Sequence, residues 1–108
     1  MLFRSSLNGQ AEALLPRVRP LLEDLKRRKA TYDTRPSAPV ASEIEALLRE
    51  VAELGVEVKD LDAGLIDFRT DRGGEEVYLC WRLGEGDRIA WWHTIEGGFP
   101  ARRPLVEN

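Results

Sequence analysis

The chain has 108 residues, 43% of them hydrophobic and 32% charged, with a net charge of −3. That length makes one domain able to bury a core without disulfides or metals. The negative balance argues against general nucleic-acid binding, which needs a concentrated basic patch. The single cysteine excludes an internal disulfide and fits a reducing cytoplasm. Residues 1–6 contain no leader-like apolar segment, and no apolar run approaches the ~18 residues of a membrane span. A cytoplasmic protein without membrane contact is expected.

Leu7, Ala11, Leu14, Val18, Leu21 and Leu25 recur at alternating spacings of four and three, the seam of an amphipathic helix that Leu15 and Leu22 widen. Ser6 or Asn8 supplies a cap. Pro16 and Pro20 fall on the solvent side, so the spacing predicts one bent helix over 7–30, with a break at Leu15-Pro16 as the alternative. Lys26, Arg27, Arg28 and Lys29 read as the basic end of that helix, favoured by its dipole. Residues 32–41, with Pro36 and Pro39, read as a connector. Ser42 and Glu45 form a capping-box pattern, and Ile44, Leu47, Leu48, Val51 and Leu54 give a second amphipathic helix over 42–54. Gly55 follows as its left-handed terminator.

From Val56 the period becomes strand-like. Val56 and Val58 mark a first strand, 60–64 a turn, 65–68 a second strand and 71–74 another turn. Residues 76–94 then hold all three tryptophans, the only histidine and the only cysteine. They read as a β-hairpin turning at Glu85-Gly86, with a one-residue slip that pairs Trp81 with Trp91 and Leu83 with Ile89 as the alternative. The Glu85-Gly86 turn pairs residues whose numbers sum to 171 and separates two faces. Val77, Leu79, Trp81, Leu83, Ala90 and Trp92 form the apolar one. Tyr78 opposite His93, Cys80 opposite Trp91, and Arg82 opposite Ile89 form a mixed one. The rest, 97–108, reads as a loosely packed tail.

The expected fold is therefore α+β: an antiparallel helical hairpin at about 7–54, then a small antiparallel β-meander at about 56–95, in one domain. Its expected core is Leu14, Val18, Leu21, Leu25, Leu47, Val51, Val77, Leu79, Trp81 and Trp92. The segments 58–68 and 77–85, the latter containing Tyr78-Leu-Cys-Trp-Arg82, together with Trp92-His93 and Gly98-Phe99, resemble a small bacterial family called domain of unknown function 2203. Residues 14–20 are similar to its first helix. The resemblance implies this fold and transfers no functional residue, because the family has no established activity.

The mixed hairpin face supplies the candidate chemistry. His93 can act as acid, base or metal ligand, with Asp62 and Glu96 as further metal candidates and Asp60 nearby, though their spacing matches no metal motif. Cys80 is either a nucleophile or a small buried hydrophobe. Arg82 reads as an ion-pair anchor for Asp67 or as an anion receptor. Tyr78, Cys80, Arg82, His93 and Asp67 make the candidate ligand site. The glycine pairs match no phosphate loop, Asp60 and Asp62 match no calcium loop, and no cofactor is implied. Two functions follow. The leading one is a non-catalytic, homodimeric interaction module, because the helical stripes are too wide to cover each other. The alternative is a small-molecule binding protein or enzyme, anion- or metal-assisted, that uses the mixed face. The sequence does not decide whether the protein is an enzyme.

Overall fold

The computed structural model describes residues 9–105. Leu7 and the caps expected at Ser6 and Asn8 lie outside the described residues. A short helix α1, Gly9–Glu12, is followed by α2, Leu15–Thr34, and α3, Ala38–Glu53. The first helix is thus broken before Leu15-Pro16 rather than continuously bent. Pro16 occupies the first turn of α2, where its missing N–H costs nothing, and Pro20 lies exposed inside the helix. The new first turn is closed by the Arg17 and Val18 amides, both donating to the Leu14 carbonyl at 2.9 Å.

The break also rotates the buried stripe. Leu15, Val18, Leu22 and Leu25 are fully buried, whereas Leu14 and Leu21, expected at the centre, are only half-buried. α2 runs four residues beyond its expected end, so Lys26 to Lys29 are not its terminus. Within that run Arg28 bonds Asp24 and reaches Glu43 of α3 at 2.7 Å, and Lys29 pairs with Asp33 and Asp62. The connector shrinks to residues 35–37. Ser37, not Ser42, caps α3 by accepting the Val40 amide at 3.3 Å, with Pro39 in the first turn. Ser42 and Glu45 sit inside the helix. Its end is as expected, with Gly55 at φ +80° just beyond Leu54. Only Val51 of α3 is fully buried; Ile44, Leu47, Leu48 and Leu54 pack on the core with part of their surface exposed.

Five antiparallel strands follow in sequential order: β1 Val56–Asp60, β2 Leu65–Arg72, β3 Glu75–Arg82, β4 Trp91–Thr94 and β5 Arg103–Pro104. The fold is the expected α+β meander, one strand longer. The final strand comes from the tail, which was expected to be loose. β2 and β3 form the longest ladder, closed by Gly73 and Gly74 at φ +60° and +91°, the positive angles a two-residue hairpin needs.

The β3–β4 register is the one the sequence predicts, with Val77 opposite Thr94, Tyr78 opposite His93, Leu79 opposite Trp92 and Cys80 opposite Trp91. The connection is not. The ladder stops at Cys80 and Trp91, and residues 83–90 form a loop instead of extending both strands to a turn at Glu85-Gly86. The cause is Trp81. Its indole is fully buried, and its N–H takes the Gly86 carbonyl at 3.1 Å, folding the loop back over the ring. Arg19 of α2 holds the same carbonyl at 2.8 Å and Asp87 at 3.0 Å. Ile89 consequently enters the core instead of facing outward opposite Arg82, and its amide donates to the Glu12 carboxylate of α1.

One sheet face packs on the helices through register-matched rows: Val56, Phe68, Leu79 and Trp92 in one, Val58, Ile66 and Trp81 in the next. The other face carries Glu57, Asp67, Cys80 and Trp91 in one row, Arg69, Tyr78 and His93 in its neighbour. Among the described residues no helix is long and apolar enough to cross a membrane. Because Trp81 combines full burial with the loop-closing bond, Trp81→Ala is expected to cost about 3–5 kcal/mol in urea unfolding. A loss below about 1 kcal/mol would contradict its place at the centre of the core.

Candidate functional site

Asp67 on β2 and His93 on β4 lie two strands apart on the outer face, and their side chains meet over β3. Asp67 is 2% and His93 3% exposed, and Nε2 of the imidazole lies 3.0 Å from Oδ2 of the carboxylate. The other ring nitrogen, Nδ1, is 2.8 Å from the Thr94 carbonyl. A carbonyl only accepts, so Nδ1 carries a hydrogen. In a neutral ring Nε2 would then present a lone pair to a carboxylate oxygen. The close contact therefore holds one shared proton, as imidazolium with carboxylate or as imidazole with carboxylic acid, and the pair is neutral overall. Burial pushes the Asp67 carboxyl up, against the opposing pull of His93.

Cys80 stands directly opposite Asp67 in the ladder and is fully buried. Its donor sulfur and the donor atoms of Asp67 and His93 all lie within 4.8 Å of one another. Burial, reinforced by the Asp67 carboxylate, pushes the thiol up to about 12, so it is a protonated, unreactive group. Among the described residues the second carboxylate oxygen, Asp67 Oδ1, is buried without a nitrogen or oxygen donor; the weakly donating Cys80 thiol is the carboxylate's other neighbour.

Tyr78 lies beside this cluster, its ring centroid 5.4 Å from that of His93. Its hydroxyl donates to Glu57 at 2.9 Å and accepts from Arg69 at 2.6 Å. Lys59 sits over its ring at 4.6 Å and pairs with Glu57. Above the pair opens a cleft of about 160 Å³ whose walls include Lys59, Tyr78, Ile95 and Phe99. Ile95, 41% exposed, is the one large apolar side chain on the surface of the described residues.

Of the five candidates, Asp67, Tyr78, Cys80 and His93 come together and Arg82 does not. Arg82 is exposed, paired across the ladder with Leu65, and its guanidinium lies 5.7 Å from the Phe99 ring. The expected Asp67–Arg82 ion pair is replaced by Asp67–His93, because Asp67 leans toward β4, away from the strand end that carries Arg82. The guanidinium set among aromatics is Arg102, 4.6 Å from Trp91 and 4.7 Å from Phe99, with both carboxylate oxygens of Glu85 on its terminal nitrogens. Only an aromatic-glycine-rich turn preceding paired arginines hinted at it. Asp62 and Glu96, the further metal candidates, are both exposed; Asp62 pairs with Lys29, Asp60 caps the Asp62 and Ala63 amides, and none of these carboxylates joins His93 in the buried cluster.

Fold and site define a small α+β protein in which a helical hairpin backs an antiparallel sheet whose far face buries an acid–imidazole–thiol cluster. A family described as an uncharacterized conserved protein family, DUF2203, matches residues 7–105, and the chain belongs to it. No curated protein and no solved structure matches the chain at a stringent threshold.

The environment of Cys80 sets a direct expectation. With an ordinary thiol titrating near ~8.5 and this one near 12, the thiolate fraction at pH 8 is roughly a thousandfold lower in the folded protein. Iodoacetamide labelling at pH 8 is expected to be at least about a hundredfold slower in buffer than in urea. Equal rates in the two would show that the thiol is neither buried nor beside a carboxylate.

Proposed function

We propose that this chain is a non-catalytic binding domain of the bacterial cytoplasm, with its ligand site in the cleft over Asp67, Tyr78 and His93. The observation that carries the reading is a buried carboxylate, one oxygen of which has no nitrogen or oxygen donor among the described residues, beneath an opening walled by aromatic rings. Buried polar groups converging at an apolar concavity are the usual form of a ligand site. Catalysis is disfavoured by the same geometry. A general base must offer a free nitrogen to its substrate, and both nitrogens of His93 are engaged. The protonated thiol is no nucleophile. At about 160 Å³ the cleft is well below the ~300 Å³ at which pockets accept metabolite-sized ligands. Its occupant is an ion or a molecule of a few heavy atoms.

Titration of ¹⁵N-labelled protein with acetate, imidazole and phenol tests this. At least one probe is expected to give saturable shifts clustered at the amides of Lys59, Tyr78, Ile95 and Phe99. Shifts that scatter over the surface or rise without saturating with every probe would remove the site.

A second reading, a homodimeric interaction module, is supported by the partly exposed Ile44, Leu47 and Leu48 on α3 and Leu54 just beyond its end, since apolar area left open on a helix is commonly covered by a second copy. Sedimentation equilibrium at micromolar concentration is expected to give twice the chain mass on this reading, and a monomer throughout would end it.

A further inference from the structure

We infer that Asp67, Cys80 and His93 are the ligands of a divalent transition-metal ion, with zinc the ion their donors suit best. The inference deepens the reading of the cleft above them as the ligand site and rests on it. Three observations converge. The first is the donor set. A carboxylate oxygen, a sulfur and an imidazole nitrogen, all buried, lie within 4.8 Å of one another. Around a tetrahedral zinc, ligand bonds of about 2.0–2.3 Å place donor atoms roughly 3–4 Å apart. The cluster therefore needs to contract only slightly, by side-chain torsion. Sulfur and imidazole together select a borderline-soft ion and disfavour calcium and magnesium, which take oxygen.

The second observation is orientation. Nδ1–H of His93 is fixed on the Thr94 carbonyl at 2.8 Å, and Nε2 is aimed at Asp67. A hydrogen bond from the distal nitrogen to a backbone carbonyl is the contact that sets a metal-binding histidine in place. The third is Oδ1 of Asp67, a buried oxygen that no nitrogen or oxygen donor of the described residues reaches, on a carboxylate whose remaining neighbour is the Cys80 thiol.

Charge closes the account. As metal ligands the three groups are thiolate, carboxylate and neutral imidazole, whose two negative charges match a divalent cation. The cleft, which reaches Asp67 and His93, gives the ion and a solvent ligand their way in.

The test is cobalt substitution in the full-length protein, stripped with a chelator and kept under thiol-preserving reductant that does not itself bind cobalt. Titration with Co²⁺ is expected to produce a sulfur-to-cobalt charge-transfer band in the near ultraviolet and intense tetrahedral bands in the visible. Both should saturate at one ion per chain and be displaced by Zn²⁺. Cys80 is the only cysteine, so the charge-transfer band reports on that residue even if no variant folds. Cys80→Ser is expected to abolish the band, and Asp67→Asn and His93→Gln to weaken binding at least about tenfold. Asp62→Asn and Glu96→Gln should bind as the parent does. Absence of the charge-transfer band, or affinity that follows Asp62 or Glu96, overturns the inference. If the band is absent while the small organic probes still saturate the cleft amides, the metal assignment falls and the ligand-site reading stands. If neither is seen, both fall.

Discussion

Val77 to Trp81 are five consecutive buried residues in the middle of β3, and a strand buried on both faces needs two different coverings. Alternation sends Val77, Leu79 and Trp81 to the helices and Tyr78 and Cys80 to the opposite side. The first set can be buried by α2, Phe68 and Trp92 with no polar obligations except the indole N–H. The second set shares its side with Asp67 and His93, so its covering has to satisfy a carboxylate and an imidazole as well as exclude water. The C-terminal segment does the covering. β5 pairs with β4 through Trp91 and Trp92, and Phe99 walls the cleft that His93 and Tyr78 also line. Without that segment the outer layer would be an open sheet face.

Period and parity were what the sequence made legible. The alternation of 77–82 and 91–94 favoured the register that separates Tyr78, Cys80 and His93 from Trp81 and Trp92, because a one-residue slip would have put His93 in the apolar layer. Gly55 marked the end of α3 for a similarly local reason. What failed depended on contacts distant in sequence. A turn at Glu85-Gly86 satisfies local geometry, but Trp81 needs an acceptor for its buried N–H, and the backbone of the loop supplies it. Ser42 and Glu45 fit a capping box as well as Ser37 does, yet Pro39 suits a first turn better than a connector. Arg82 and Arg102 could not be told apart by composition. Only folding the tail back along β4 put Arg102 between two rings and Glu85.

The outer-face cluster shows how a small sheet can carry polar chemistry without losing stability. Asp67 and His93 would be costly to bury singly. As a neutral, proton-sharing pair they sit in the interior at little electrostatic cost, and Cys80, being protonated, adds none. Around them the solvent-facing residues Glu57, Lys59, Arg69 and Glu76 form ion pairs of alternating sign, individually weak at a surface. Glu57 and Arg69 among them hold the hydroxyl of Tyr78, whose ring stands beside that of His93.

The bond between the Ile89 amide and the Glu12 carboxylate joins residues 77 positions apart, and this bears on the order in which a nascent chain can settle. α2 and α3 are complete once the first half of the polypeptide has emerged from the ribosome, and they can pair locally. Leu15, Val18, Leu22 and Leu25 cannot be covered until β3 and Ile89 follow. During that interval the helical hairpin carries an open apolar stripe, a surface that invites association with chaperones or other chains. The contact that ties α1 to the loop of Ile89 therefore waits until all the residues between Glu12 and Ile89 have been made.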